Sequence, residues 1–147
     1  MKPIRIDTNS NSKRLEEIFS RYPYIVAAYL FGSYAQNKEG PMSDIDIALL
    51  LKKPLPEGRK LIHEIDYLAY LISKTLGKEV DLVILNHQGL VFQHNVLKTS
   101  RLIYDAAPDV RIRFETGVIT HYCDFEPTLR FMDKYYHDGY RRRLAGI

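Results

Sequence analysis

Apolar residues recur along this chain with two alternating periods. Leu15, Ile18, Phe19 and Tyr22 fall at helical spacing. Asn11 or Ser12 can cap that helix, and Pro23 ends it. Residues 24–31 form a β-branched and aromatic run of strand length, broken by Gly32-Ser33. A short helix is expected over 33–38, closed by Gly40-Pro41. A second strand spans 44–51 and stops before Pro54 and Pro56. Residues 57–76 predict a long amphipathic helix with Leu61, Ile65, Leu68, Ile72 and Leu76 as its stripe, and Gly77 stands where a C-cap glycine belongs.

A third strand is expected over 80–85. A helix follows over 88–98, with Leu90, Val91, His94 and Leu97 on one side. A short strand at 102–104 reads as an edge. Beyond Pro108 the period is helical: Val110, Phe114 and Val118 mark one helix, and Leu129, Met132, Tyr136 and Tyr140 mark another with Pro127 in its first turn. The fold class is therefore α/β (α+β): a small mixed β-sheet with helices packed on one side and a helical C-terminal extension. Residues 1–105 form the core. Residues 106–147 form the extension, within the same domain.

The length, 147 residues, suits one domain. Hydrophobic residues make up 46% and charged residues 27%, an ordinary globular profile. No stretch approaches the ~20 apolar residues a membrane helix needs, and residues 1–11 lack an apolar signal core. The single cysteine, Cys123, cannot form an internal disulfide and reads as a small buried filler. Cytoplasmic location without membrane association is expected. The net charge of +3 is modest, and its clearest local run, Arg141-Arg142-Arg143, reads as a solvated helix end. His94 is expected as a hydrogen-bonded core residue and the other four histidines at the surface. They form no pair at helical ligand spacing, so no zinc site is suggested.

The chemistry concentrates in residues 30–50. A strand ends in Gly32-Ser33. Glycine permits close backbone approach, and free amides at a helix start beside the Ser33 hydroxyl suit phosphate oxygens. Ten residues later come Asp44 and Asp46, which at i and i+2 of a strand share one face. Two carboxylates side by side repel unless a cation neutralises them or one stays protonated. Mg²⁺ suits such a site, because it takes few carboxylates and completes its shell with water and phosphate. Asp81, at the mouth of the apolar strand 80–85, is the candidate third carboxylate. Three acidic groups could hold two metal ions across an in-line displacement at phosphorus.

Gly32-Ser33, ten residues, then Asp44-Ile45-Asp46 resembles the signature of the DNA polymerase β-like nucleotidyltransferase superfamily. The segments 30–35, 43–47, 80–83 and 101–104 are similar to the minimal nucleotidyltransferases, the MNT proteins. Residues 113–115 and 122–127 resemble the C-terminal part of MntA-type antitoxins, which are encoded beside HEPN-domain RNase toxins. The resemblance implies transfer of AMP from ATP to a tyrosine hydroxyl of the partner toxin. It implies that Gly32 and Ser33 hold the triphosphate, that Asp44 and Asp46 bind Mg²⁺, and that Asp81 completes the metal site and favours deprotonation of the attacking hydroxyl. Where many relatives carry Arg-Gly after Gly-Ser-x-Ala, this chain has Gln36-Asn37. Nucleic acid is not expected as the direct substrate.

Two other functions fit the same residues. One is a small-molecule nucleotidyltransferase of the aminoglycoside-modifying kind, for which Asp124, Glu126 and Asp133 offer an acidic acceptor surface. The other is a non-catalytic module that neutralises its partner by binding. Eleven tyrosines, among them Tyr122, Tyr135, Tyr136 and Tyr140, exceed the needs of a small core. They make the C-terminal extension the expected partner-docking surface.

Overall fold

The centre of the chain folds as two strands whose residues are almost all apolar. β1 (Ile25–Phe31) and β2 (Ile45–Leu51) read IVAAYLF and IDIALLL. A strand with one wet face alternates, whereas a near-continuous apolar run requires cover on both faces. A computed structural model describes residues 9–33, 35 and 44–145, with side chains from 10 to 137 of these. In it, these two strands lie at the middle of a four-stranded sheet.

The strand order is β3-β2-β1-β4, with β3 at Val80–Ile84 and β4 at Arg101–Asp105. β1 runs antiparallel to both β2 and β4. β2 and β3 are parallel and joined through α2 (Gly58–Leu76), which forms the crossover. The other helices are α1 (Asn9–Ser20), α3 (Leu90–Thr99) and α4 (Pro108–Ala145).

Two apolar layers sandwich the sheet. On one face, Ile45, Ile47 and Leu49 of β2 meet Leu15, Ile18 and Phe19 of α1 and the expected stripe of α2, from Leu61 to Leu76. On the other, Val26, Ala27 and Tyr29 of β1 and Ala48 and Leu50 of β2 meet Val96, Phe92 and Leu97 of α3 and Val110 and Phe114 of α4. The mixed sheet and its one helical layer are as expected, and a second layer must be added. The two-faced apolar character of β1 and β2 is the physical reason for it.

Gly77 closes α2 as expected, in the left-handed conformation (φ 69°), its N–H donating to Ser73 O at 2.8 Å. α1 starts at Asn9, so Asn11 and Ser12 lie inside its first turn rather than capping it. The tract Asn9-Ser10-Asn11-Ser12 offers several near-equivalent starting points.

The largest correction concerns the C-terminus. The two expected helices are one, the 38-residue α4, which runs through Pro127. Proline removes one backbone donor from a helix interior, but the flanks of Pro127 favour helix, and the Glu126–Arg130 ion pair (2.6 Å) straddles it. Cys123 is exposed, not buried. It lies one residue past Tyr122, about 100° round the helix from the side that meets α3. His94 is half-buried and stacks on Tyr122 instead of sitting hydrogen-bonded in the core. The four other histidines are exposed.

The N-terminal half of α4 is tied down by a polar cluster. Tyr29 Oη donates to Glu115 Oε1 at 2.8 Å. Arg111 bonds Asp105 at 3.0 Å and Glu115 at 3.1 Å. Burial, with the Glu115 hydrogen bond, pushes the Tyr29 hydroxyl well above its ordinary range. The ring stays a neutral donor throughout the physiological range. Among the described residues no helix is long and apolar enough to cross a membrane.

Candidate active site

The end of the sheet where β1 stops and β2 begins gathers the residues singled out above. Phe31, the last residue of β1, pairs with Asp46 on β2. Asp46 in turn pairs with Asp81 on β3. Side chains opposite one another on neighbouring strands share a face, so the carboxylates of Asp46 and Asp81 stand on one side of the sheet. Asp44 immediately precedes β2 and is exposed. Asp81 is also exposed, and Asp46 is partly buried between them. Residues from two separated stretches of chain thus meet at one edge.

Gly32 follows Phe31 with φ 75°, a region that disfavours side chains. A Cβ there would stand 2.5 Å from Asp46 Oδ2. Glycine is therefore required twice, for the backbone conformation and for the space. Glycine was expected to admit a ligand, and the group that fills the space beside it is the Asp46 carboxylate. Ser33 occupies the turn that follows and is half-buried. The expected helix over 33–38 and the departure at Gln36-Asn37 lie outside the described residues, as do the side chains of Tyr140 and Arg141-Arg142-Arg143.

The electrostatics follow from this crowding. The Asp46 carboxyl is held above the usual carboxylate range, first by burial, then by the negative charges of Asp81 and Asp44. A divalent cation at this edge would relieve all three causes. Among the described residues no three His, Cys, Asp or Glu side chains stand together closely enough to hold a metal ion. An open edge of a few carboxylates suits a hard ion that completes its shell with water and phosphate oxygens.

A cavity of about 550 Å³ lies between α3 and α4, lined by Val91, Phe92, His94, Asn95, Lys98 and Tyr122. The His94 and Tyr122 rings stack in parallel with centroids 3.5 Å apart. Phe92 meets Phe31 edge to face at 5.7 Å, which brings this wall to the residue preceding Gly32. Sequence reasoning did not find this cavity. The residues that line it belong to separate helices, and no local pattern announces their meeting.

The family model "Polymerase beta, Nucleotidyltransferase" matches residues 13–109. A candidate protein adenylyltransferase of Methanocaldococcus jannaschii is 41% identical over 59 residues, 40% of this chain and 58% of that protein. The chain thus spans somewhat over half the length of the curated relative it matches. A chain of a toxin–antitoxin complex crystallised with AMP-PNP superposes with TM-score 0.67 at 25% identity, covering 86% of this chain and 98% of that one. A chain of the complex between a tri-AMPylated Shewanella oneidensis HEPN toxin and its MNT antitoxin gives TM-score 0.62 at 23% identity, with 86% and 97% covered, a likeness of fold. The family match takes in the whole sheet, with Gly32, Ser33 and all three aspartates, and on that ground the chain belongs to the polymerase β nucleotidyltransferase family.

Proposed function

We propose that this protein is an antitoxin acting in the cytoplasm, which transfers AMP from ATP to a tyrosine hydroxyl of a partner HEPN RNase toxin. The observation that carries the reading is the placement of Asp46 between Gly32 on one side and Asp81 on the other. A glycine turn for the triphosphate and a row of carboxylates for metal are what phosphoryl chemistry needs, since catalysis there is mostly positioning and charge neutralisation. The relative named as a candidate protein adenylyltransferase, and the AMP-PNP complex that shares this fold, favour adenylyl transfer over other uses of the site.

Asp44, Asp46 and Asp81 would hold Mg²⁺, two ions in all. Bound magnesium would neutralise the carboxylates and the phosphate charge together. Gly32 leaves the Asp46 carboxylate its place against the turn. The backbone at Gly32 and the Ser33 hydroxyl receive phosphate oxygens. Asp81, exposed at the edge, favours removal of the proton from the attacking tyrosine hydroxyl. The oxygen then bonds to the α-phosphorus as the bond to the β-phosphate oxygen breaks, and pyrophosphate leaves with the electron pair.

The test is intact-mass measurement of the HEPN toxin after incubation with this protein, ATP and Mg²⁺. Toxin heavier by AMP units is expected with wild type and not with Asp44→Asn/Asp46→Asn. Equal labelling by both proteins, or by neither, would sink the reading. If the folded Asp→Asn variant still neutralises the toxin, binding alone suffices.

A further inference from the structure

The side chains at the aspartate edge point to one face of the sheet. Asp46 alternates along β2 with Ala48 and Leu50, and both pack in the layer against α3 and α4. Asp81, opposite Asp46, alternates with Val83 of that same layer, and Phe31 alternates with Tyr29. The aspartates therefore open toward α3 and α4, not toward α1 and α2.

The cavity between α3 and α4 stands on this face. Val91, His94, Asn95 and Lys98 line it from one side of α3, at positions i, i+3, i+4 and i+7, and Tyr122 lines it from α4. Two links tie this wall to the aspartate edge. Phe92 meets Phe31, which pairs with Asp46. Lys98 stands three residues before Arg101, and Arg101 pairs with Leu30, the neighbour of Phe31. Three residues of chain reach ~10 Å at most.

The lining selects a kind of ligand. The stacked rings of His94 and Tyr122 offer a flat aromatic surface, on which a planar ring stacks well. Asn95 and Lys98 are exposed, and among the described residues neither polar end is engaged by a hydrogen bond or ion pair. An amide that both donates and accepts matches the edge of a heteroaromatic base. An ammonium matches a phosphate. The volume of about 550 Å³ lies within the range of small-molecule sites.

The amide also discriminates. Asparagine pairs with both N6 and N7 of adenine, donor to acceptor and acceptor to donor. Guanine presents two acceptors on that edge, O6 and N7, so the amide oxygen would face O6 unpaired.

We propose that the α3–α4 cavity seats the adenine base of the triphosphate, stacked on the wall that His94 and Tyr122 form, and that Asn95 selects adenine over guanine. The Asn95 amide accepts from N6 and donates to N7, and Lys98 Nζ donates to a phosphate oxygen. The inference rests on the nucleotidyl-transfer reading for the triphosphate itself, and adds the residue that decides which base is taken.

The experiment is calorimetric titration of the full-length protein with ATP, GTP and 7-deaza-ATP, in Mg²⁺ and without an acceptor protein. Wild type should bind ATP roughly tenfold or more tightly than either of the other two. Asn95→Leu should bind all three equally and weakly, with its thermal transition unchanged. Lys98→Met should weaken all three alike and keep their ranking. Equal affinity of wild type for ATP and GTP, a preference that survives in Asn95→Leu, or no nucleotide binding at all would overturn the inference. Its failure is distinct from that of the transfer reading. A preference for ATP that depends on Asn95, in a protein that leaves the HEPN toxin unlabelled, sinks transfer and keeps the base site. Toxin labelled by wild type from ATP and GTP alike sinks the base site and keeps transfer.

Discussion

Asp46 on β2 lies directly across from Asp81 on the parallel strand β3, and burial together with the Asp81 charge holds the Asp46 carboxyl above its ordinary range at one end of the sheet. The β2–α2–β3 crossover produces this pairing. It returns the chain parallel to β2 and brings the first residues of both strands to the same edge.

Gly32 is the position most sensitive to substitution at this edge. In Gly32→Ala the new Cβ meets Asp46 Oδ2, and φ 75° strains any side chain. A cost of about 1–3 kcal/mol is expected, with Asp46 displaced. Thermal denaturation should show the lower stability, and adenylyl transfer by the fraction still folded should fall at saturating ATP.

Stability should depend on pH in a direction set by Asp46. Its carboxyl pKa is higher in the folded protein, by burial and by Asp81 and Asp44, so folding favours the protonated form. This contribution is complete below the carboxylate range of the unfolded chain and is lost as pH rises through the raised value of Asp46. Near neutral pH, Asp46→Asn should therefore melt higher than wild type in the absence of divalent metal. Thermal melts across a pH series check the sign.

Magnesium should invert that ranking. An ion that binds only the folded state stabilises by about 2.7 kcal/mol at a hundred times its dissociation constant. Wild type should gain melting temperature on titration with Mg²⁺. Asp46→Asn and Asp81→Asn should gain little, and equal gains in all three proteins would argue against these carboxylates as ligands.

Arg111 holds the start of α4 to the sheet. Arg111→Met would leave Asp105 and Glu115 without their shared cation in a partly buried setting. A loss of about 2–3 kcal/mol is expected. Tyr29→Phe removes one hydrogen bond to Glu115, and about 1 kcal/mol is expected. Denaturant titration of both variants and of the double mutant would measure how strongly the two bonds are coupled.

Tyr122→Ala should loosen α4 from α3. It removes the parallel stack on His94, worth about 1 kcal/mol beyond the buried area. Faster amide exchange should appear in α4 around 118–126, with β1 and β2 protected as before.

Much of the fold could be read without coordinates, because helices and strands announce themselves by local periodicity. The α2 stripe, the αL cap at Gly77 and the apolar runs of β1 and β2 are all such features. The run-on of α4 through Pro127 was not legible, since a proline signal argues for a break and only the surrounding helix context overrides it. The exposure of Cys123 followed from that same geometry. The cavity beside His94 and Tyr122 joins residues on separate helices, and no window of sequence contains it.

What the sequence determined by itself was the inventory and the spacing: a glycine-serine turn, two aspartates on one face of a strand, a third on another strand, and the elements that carry them. What tertiary structure alone decided was adjacency. Strand order set Asp81 opposite Asp46, and the bend at Gly32 left room for the Asp46 carboxylate. The division has a physical cause: periodicity is written in the φ and ψ preferences and side-chain burial of neighbouring residues, while pairing depends on contacts between distant segments that only the completed core selects.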